Sequence, residues 1–356
     1  MTGLPLLTAS VTTDRSAANR RTCTATLASP NLTVIPQDES SPLAPFGAEL
    51  QLYAGWIDPA SQSPYLIPAT GLPELIPLGV FPILDTDPDD SGQDINMTLT
   101  GSDRSWAISQ RGFLSIYTVV AGTAPETAIQ AILQNQYPGL PALNMSPTGF
   151  QLPVMNFDAG ADPWAACLTI ATAAGCELYF DANGYPVGKP TPDPTQTVIT
   201  WAYRVDGTGN AAPSLVSRAM TRRGISNNFI ISATGSQNTT VGSGAATPVS
   251  ASAQDNNPAS ATFVGGPFGN VPTFISSSLI SSVDQCQAAA NNALTLSLGS
   301  ADVLTVTAAP APMFAVDDVI TVEDTRLNVD FNIVVDSVAY SVKHDTKTVI
   351  TGRRVY

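Results

Sequence analysis

Apolar and polar residues alternate with a period of two over many short stretches of this chain, the spacing of half-buried strands. The stretch from Leu78 to Ile108 carries the clearest case. Val80, Phe81, Ile83 and Leu84 form an apolar run of strand length, and Asp85 to Gly92 has the composition of a turn, with Asp85, Asp87, Asp89 and Asp90 around Pro88. Ile95, Met97 and Leu99 then alternate with Asn96, Thr98 and Thr100, and Asp103-Arg104-Ser105 makes a polar exit. Thr8 to Thr13, Thr22 to Leu27 and Ala48 to Ile57 are further short strands separated by turn residues, a pattern of β-sandwiches or barrels. The proline-rich run from Ala60 to Pro77 predicts a long loop.

From Gly112 the period changes to that of helices. Thr123-Ala-Pro-Glu126 predicts a capping box, and Ala128, Ile129, Ile132 and Leu133 follow at helical spacing up to Pro138-Gly139. Asp162 as N-cap and Pro163 in the first turn start a second helix, with Trp164, Cys167, Leu168, Ala171 and Ala174 on one face and Gly175 as its left-handed stop. Cys176 to Phe180, the turn Asp181 to Gly184 and Tyr185 to Gly188 predict a hairpin. Thr197 to Val205 alternates again and is expected to return to the first β region. Asn227 to Ala233 reads as a strand, Gly235 to Asn257 as a polar Ser/Gly-rich loop, and Ser281 onward as a helix with Cys286, Ala289, Ala290, Ala293 and Leu294 inside. Val303 to Thr307, Val319 to Val322, Ile333 to Val342 and Val349 to Val355 are strands of strong β character, with turns at Pro310 to Asp318 and at Lys343 to Thr346.

Several of these segments resemble the tail hub proteins of tailed bacteriophages, relatives of the hub of the type VI secretion spike. The resemblance rests on Gly79-x-Phe81-x-Ile83 with its acidic loop and Gly101-x-Asp103-Arg104-Ser105, on Asp162-Pro163-Trp164 with the helix leading to Glu177-Leu-Tyr-Phe-Asp181, and on Gly266-x-Phe268-Gly269-x-Val271-Pro272. One departure stands out: the family's Pro-Gly-Asp turn before Val-x-x-Val is here Val316-Asp317-Asp318, which leaves the turn type open. The resemblance implies a mainly β chain with an α/β insert, built as two tail-tube-like antiparallel β-barrels. Residues 1–110 and 197–225 would form the first barrel, 111–196 the inserted α/β domain, and 226–356 the second barrel with a helix near 282–298. It further implies a homotrimer at the tail tip of a virion, assembled in the host cytoplasm. Such a ring closes the tail tube, contacts a distal tail protein or tube ring, the tape measure protein and a central fibre or spike, and lets DNA pass. The alternative reading is a soluble β-rich receptor- or glycan-binding tail module.

Composition narrows the chemistry. The formal net charge is −14, and Lys189, Lys343 and Lys347 are the only lysines, so the chain lacks the basic footprint that phosphate binding needs. Arg218, Arg222 and Arg223 lack the interleaved aromatics of a single-strand binder, and Arg20-Arg21 reads as a solvated strand edge. Cys23, Cys167, Cys176 and Cys286 have no metal spacing and are expected as buried free thiols. The N-terminus has no basic n-region, and no apolar run reaches membrane-spanning length. His344, the one histidine, falls in a turn without partners, Asp181 and Asn183 lack the further oxygens a calcium loop needs, and the four aspartates of 85–90 crowd one side of any bond. No nucleophile motif, phosphate loop or dinucleotide fingerprint is present. The chain is therefore expected to be no enzyme, with no catalytic, cofactor-binding or metal-binding residues.

Overall fold

The structure is a computed structural model and describes residues 4–28, 35–55, 57–58, 63–64, 75–90, 95–233, 249–280, 282–342 and 347–356. Most of the proline-rich run, the first part of the Ser/Gly-rich run and His344 lie outside them. The fold is mainly β. The first region holds β1 (Leu6–Asp14), β2 (Arg21–Ala28), β3 (Glu49–Gly55), the two-residue strands β4 (Ile57–Asp58) and β5 (Ser63–Pro64), β6 (Leu75–Asp90) and β7 (Ile95–Ser102). The insert holds α1 (Arg104–Ser109), β8 (Tyr117–Val119), α2 (Pro125–Gln136), β9 (Asn144–Met145), β10 (Met155–Phe157), α3 (Pro163–Ala173), β11 (Glu177–Phe180) and β12 (Pro186–Lys189). Then come β13 (Ile199–Arg204), β14 (Leu215–Met220), β15 (Asn228–Ala233), β16 (Ser250–Gln254), β17 (Pro272–Ser277) and α4 (Val283–Ser297). The chain ends with β18 (Asp302–Ala308), β19 (Val319–Asp324), β20 (Val329–Val342) and β21 (Thr348–Arg354).

Strand pairing contains an internal repeat. In the first region the order is β1-β2-β7-β6-β3, and in the last it is β14-β18-β21-β20-β19, every neighbouring pair antiparallel. Taking strands in chain order within each half, the two orders are identical. The register agrees as well. In each half the fourth strand carries a bulge, at Ile83/Asp85 and at Val335/Ser337, and each bulge stands opposite a glycine, Gly101 or Gly352. Leading into the third strand, Ala48 accepts from the Ile83 amide at 3.0 Å as Asp318 accepts from the Val335 amide at 2.8 Å. Where the first strand ends, the Asp14 amide donates to the Arg20 carbonyl as the Thr221 amide donates to the Ala301 carbonyl. Each half has its own apolar core, one around Phe81, Leu99 and Met97, the other around Leu304, Val322 and Ile350. Alternating side chains of both cores face inward, as period-two burial along β2 and β18 shows.

The halves are joined edge to edge. β20 outlasts β19, and its last residues, Ser337–Val342, pair antiparallel with β1. The bulge makes this possible, because an extra residue bends the strand and re-aims it. Among the described residues the resulting eleven-stranded sheet is open from β14 to β3, and neither half closes into a barrel by strand pairing.

Three other expectations change. The strand at Ile199–Arg204 forms but pairs with β19, and β14 pairs with β18, so both join the last region rather than the first. The reason is that alternation sets which faces are buried and carries no partner information. Residues 85–90 extend β6 instead of turning, since β7 supplies ladder partners for that acidic run. Ser250–Gln254, inside the run read as a loop, is β16; β16, β15 and β17 form a separate three-stranded sheet under α4, with its own core around Ile231, Ile280 and Cys286.

In the insert, Trp164 stacks on Phe180 at 5.4 Å over a core of Ile129, Ile132, Leu133, Cys167 and Ile170. Asp162 caps α3 as expected, accepting from the Trp164 and Ala165 amides. The α2 cap differs: Ala124 is the N-cap, Thr123 donates to the Val120 carbonyl, and Glu126 accepts from Thr148. In α4 the capping box is Ser282 with Gln285.

Gly101 and Gly352 have no room for a side chain. A Cβ on Gly352 would stand 2.5 Å from the Val334 carbonyl oxygen, and one on Gly101 would stand 2.8 Å from the Phe81 Cβ. Gly352→Ala is expected to cost about 2 kcal/mol through overpacking against backbone, and Gly101→Ala a comparable amount. Urea unfolding midpoints check this; an unshifted midpoint for Gly352→Ala contradicts the bulge geometry.

Candidate functional site

The seam between the halves is also where the insert docks, and charged residues from all three meet there. Arg15 follows β1, and its guanidinium pairs with Asp317 of the turn before β19, with Glu177 at the start of β11 (3.0 Å) and with Asp336 at the β20 bulge (3.4 Å). Arg353 of β21 also pairs with Asp336. Arg20 reaches Glu177 at 3.4 Å and lies over the Tyr179 ring at 3.9 Å. Lys189, ending β12, reaches Asp317 at 3.1 Å. Arg20 is therefore buried, not the solvated edge the sequence suggested.

Removing these charges from water is costly, and their mutual pairing offsets that cost. Burial pushes the Asp336 carboxyl up despite Arg353 and Arg15, and burial pushes the Arg353 guanidinium down despite Asp336. At Lys189 burial acts against the charge, but Asp317 and Tyr179 outweigh it and hold the amine above its ordinary value.

Asp317 explains the departure at Val316-Asp317-Asp318. Its φ is +81°, the left-handed region that favours glycine, and the matching residue of the first half is Gly47, with φ +109°. The turn keeps its glycine conformation while the residue has become an aspartate, whose carboxylate binds Arg15 and Lys189. Backbone strain of this kind persists where surrounding contacts over-determine it.

A second clamp ties the first half to the insert. Glu49 of β3 accepts two bonds of 2.7 Å from Arg104 of α1 and one of 2.8 Å from the Tyr137 hydroxyl after α2, while Arg104 also donates to the Gly184 carbonyl. Burial works to raise the Glu49 carboxyl, but the Arg104 and Tyr137 bonds overcome it and hold it below its ordinary value. Burial and Glu49 together push the Tyr137 phenol up to about 12.

Arg15, Arg20, Glu177, Asp336 and Arg353 of the seam line a cavity of about 1010 Å³, together with the apolar Leu168, Ile231 and Ile280. Glu177 and Asp336 in its lining are engaged by arginines, a structural arrangement. Among the described residues no cluster of His, Cys, Asp or Glu could hold a metal ion, and no helix is long and apolar enough to cross a membrane. The four cysteines are free and buried, as their apolar settings indicated; burial pushes the Cys23 thiol to about 12 and the Cys176 thiol to about 11. Asp85, Asp87 and Asp89 are exposed on β6. Asp181 closes its turn by accepting from the Asn183 and Tyr185 amides. Arg218 is bound by Asp302 at 2.8 and 2.6 Å, while Arg222 and Arg223 are exposed. Sequence reasoning did not single out Arg15 or Asp336, and it read Glu177 only as part of the motif leading to Asp181, since their meeting depends on the β1–β20 pairing. The missing glycine at Asp317 was the one signal of the cluster.

No family model matches the chain, and no curated protein does. Solved structures match over nearly its whole length. A tail protein from Neisseria meningitidis MC58 has a TM-score of 0.63 at 11% identity, covering 98% of this chain and 92% of its own. The 43 kDa tail protein of prophage MuSo2 from Shewanella oneidensis has a TM-score of 0.59 at 12% identity, covering 98% and 94%. The E. coli c3393 protein is described as a component of the type VI secretion system with structural similarity to the T4 bacteriophage tail proteins gp27 and gp5. It has a TM-score of 0.54 at 11% identity, covering 99% of this chain and 74% of its own. The chain thus has the fold found in phage tail, prophage tail and type VI secretion spike-like proteins, as the sequence motifs indicated.

Asp317→Ala is expected to cost about 3 kcal/mol, because it removes the buried carboxylate that Arg15 and Lys189 share. Asp317→Gly loses the same carboxylate but relieves the left-handed strain, so it should be less damaging by about 1 kcal/mol. Equal unfolding free energies for the two variants would discount the strain. Glu49→Gln is expected to cost about 2 kcal/mol at neutral pH. The Glu49 carboxyl lies below its ordinary 4.5, so its stabilisation is full above that pH and fades as pH falls through the depressed folded value. Unfolding titrations should therefore show the wild type and Glu49→Gln converging in acid; a constant gap down to the lowest pH contradicts the clamp.

Proposed function

We propose that this chain is a hub protein of a phage tail, closing the distal end of the tail tube. Three copies form a ring whose six half-units, each rounded into a barrel, present pseudo-six-fold symmetry to the tube. The other side of the ring is three-fold and receives a central fibre or spike. The distal tail protein or tube ring and the tape measure protein are its neighbours, and DNA passes through without adhering. The role is structural rather than catalytic.

The observation that carries this reading is the repeat. One chain holds the same five-strand order twice, and the two copies meet edge to edge through β1 and β20. A chain with two equivalent units in lateral contact can form a ring with twice as many units as chains. The tail-protein fold of its structural neighbours favours the same reading. The net charge of −14 fits a conduit for DNA, because like charge discourages adhesion of phosphate.

Mass measurement by light scattering and electron microscopy of the purified protein test it. The expected result is a species of three chains whose projections have a central opening and near-six-fold outline. A two-fold dimer, or a monomer at every concentration, would overturn the ring.

A further inference from the structure

Among the described residues the repeat leaves two strand edges without a neighbouring strand, and they match each other. Within the chain, β1, the first strand of one half, pairs with the end of β20, the fourth strand of the other. The equivalent elements in the opposite sense are β14 and the end of β6. β14 is the outermost strand of its sheet, with no neighbour on its far side among the described residues, and it exposes Leu215 (61%) and Met220 (68%). β6 is covered by β3 only as far as Pro82; beyond it no described strand lies on that side of Asp85–Asp89. We infer that the intramolecular seam is repeated between copies of this chain, β14 of one protomer adding antiparallel to the acidic end of β6 in the next. This deepens the ring reading and rests on it.

The internal repeat fixes the register. Ser10 pairs with Ser341, and Thr12 with Ala339, across the existing seam. Through the shared pairing patterns these positions correspond to Ser217 against Asp89 of the partner subunit, and Ala219 against Asp87 of the partner subunit. At the seam's end the Arg15 amide donates to the Asp336 carbonyl at 2.9 Å, and the Arg15 side chain pairs with the Asp336 carboxylate. Arg222 occupies the place of Arg15. It would meet Leu84 of the partner subunit, with Asp85 of the partner subunit beside it. Arg222 and Arg223 are exposed at the end of β14, and Asp85, Asp87 and Asp89 are exposed along β6. Opposite charges thus stand on the two edges that the repeat brings together, which favours this register and this polarity.

Pro88 refines the picture. It matches Tyr340 of the existing seam and would face Arg218, so one ladder donor is missing there. An acidic edge with a proline resists indiscriminate pairing and leaves side-chain charge to select the partner. The contact joins one patch to a different patch, the heterologous kind that closes rings.

Ser217→Cys combined with Asp89→Cys tests the register. These two positions form a pair without mutual backbone bonds, where Cβ atoms approach closely enough for a disulfide. The four native thiols are buried and do not compete. Mild oxidation should give intermolecular disulfides on non-reducing gels, in at least tenfold greater yield than Ser217→Cys combined with Asp85→Cys, which is several residues out of register. In parallel, Arg222→Glu with Arg223→Glu should weaken association about tenfold or more by light scattering, while circular dichroism stays that of the wild type. Rings that form without preference for the in-register pair would overturn the strand addition and leave the ring reading intact. Association unaffected by the arginine reversals would overturn the charge pairing. A protein that never associates would overturn both readings.

Discussion

One strand serves two sheets, and the rest of the molecule follows from that. β20 gives its first residues to β19, its middle to β21 and its end to β1, and only a bulge at Val335/Ser337 lets it turn between these partners. The bulge leaves Asp336 at the fork, where Arg15 and Arg353 hold it. Those arginines in turn fix the ends of β1 and β21. Gly352 supplies the space opposite the bulge that no other residue could. Backbone irregularity, buried charge and glycine placement are therefore parts of one solution to joining two sheets.

The charge cluster illustrates how buried ion pairs do structural work without large net stabilisation. Pairing roughly balances desolvation, so the cluster adds little over an apolar packing of equal volume. Its effect is directional. Arg15, Glu177, Asp317 and Asp336 come from three separately cored regions, and they pair with one another across the docked regions. The Glu49–Arg104–Tyr137 clamp does the same on the other flank of the insert.

Local features were legible in the sequence to the extent that local forces set them. The Asp162 cap, the Gly175 stop and the Asp181 turn are determined within a few residues, and they form as read. The acidic run 85–90 was misread because its turn-like composition is outweighed by ladder partners on β7. β13 was placed in the wrong half because alternation carries no information about the partner strand. The seam cluster is invisible locally, since each member is an isolated charge until β1 meets β20. Only the replacement of a turn glycine by Asp317 hinted that something there required a carboxylate.

The seam also sets an order of events during synthesis. Arg15 and Asp336 are 321 residues apart in the chain, so the contact they seal is among the most non-local the fold contains. The five strands of the first half can pair as soon as they have left the ribosome, but the outer edge of β1 then stays bare until β20 has been made. During that interval a nascent chain carries an exposed sheet edge, the kind that recruits other chains. Loop-closure entropy makes the final joining slow relative to formation of either half. Joining the halves is accordingly a docking of two sheets, with the end of β20 acting as the latch.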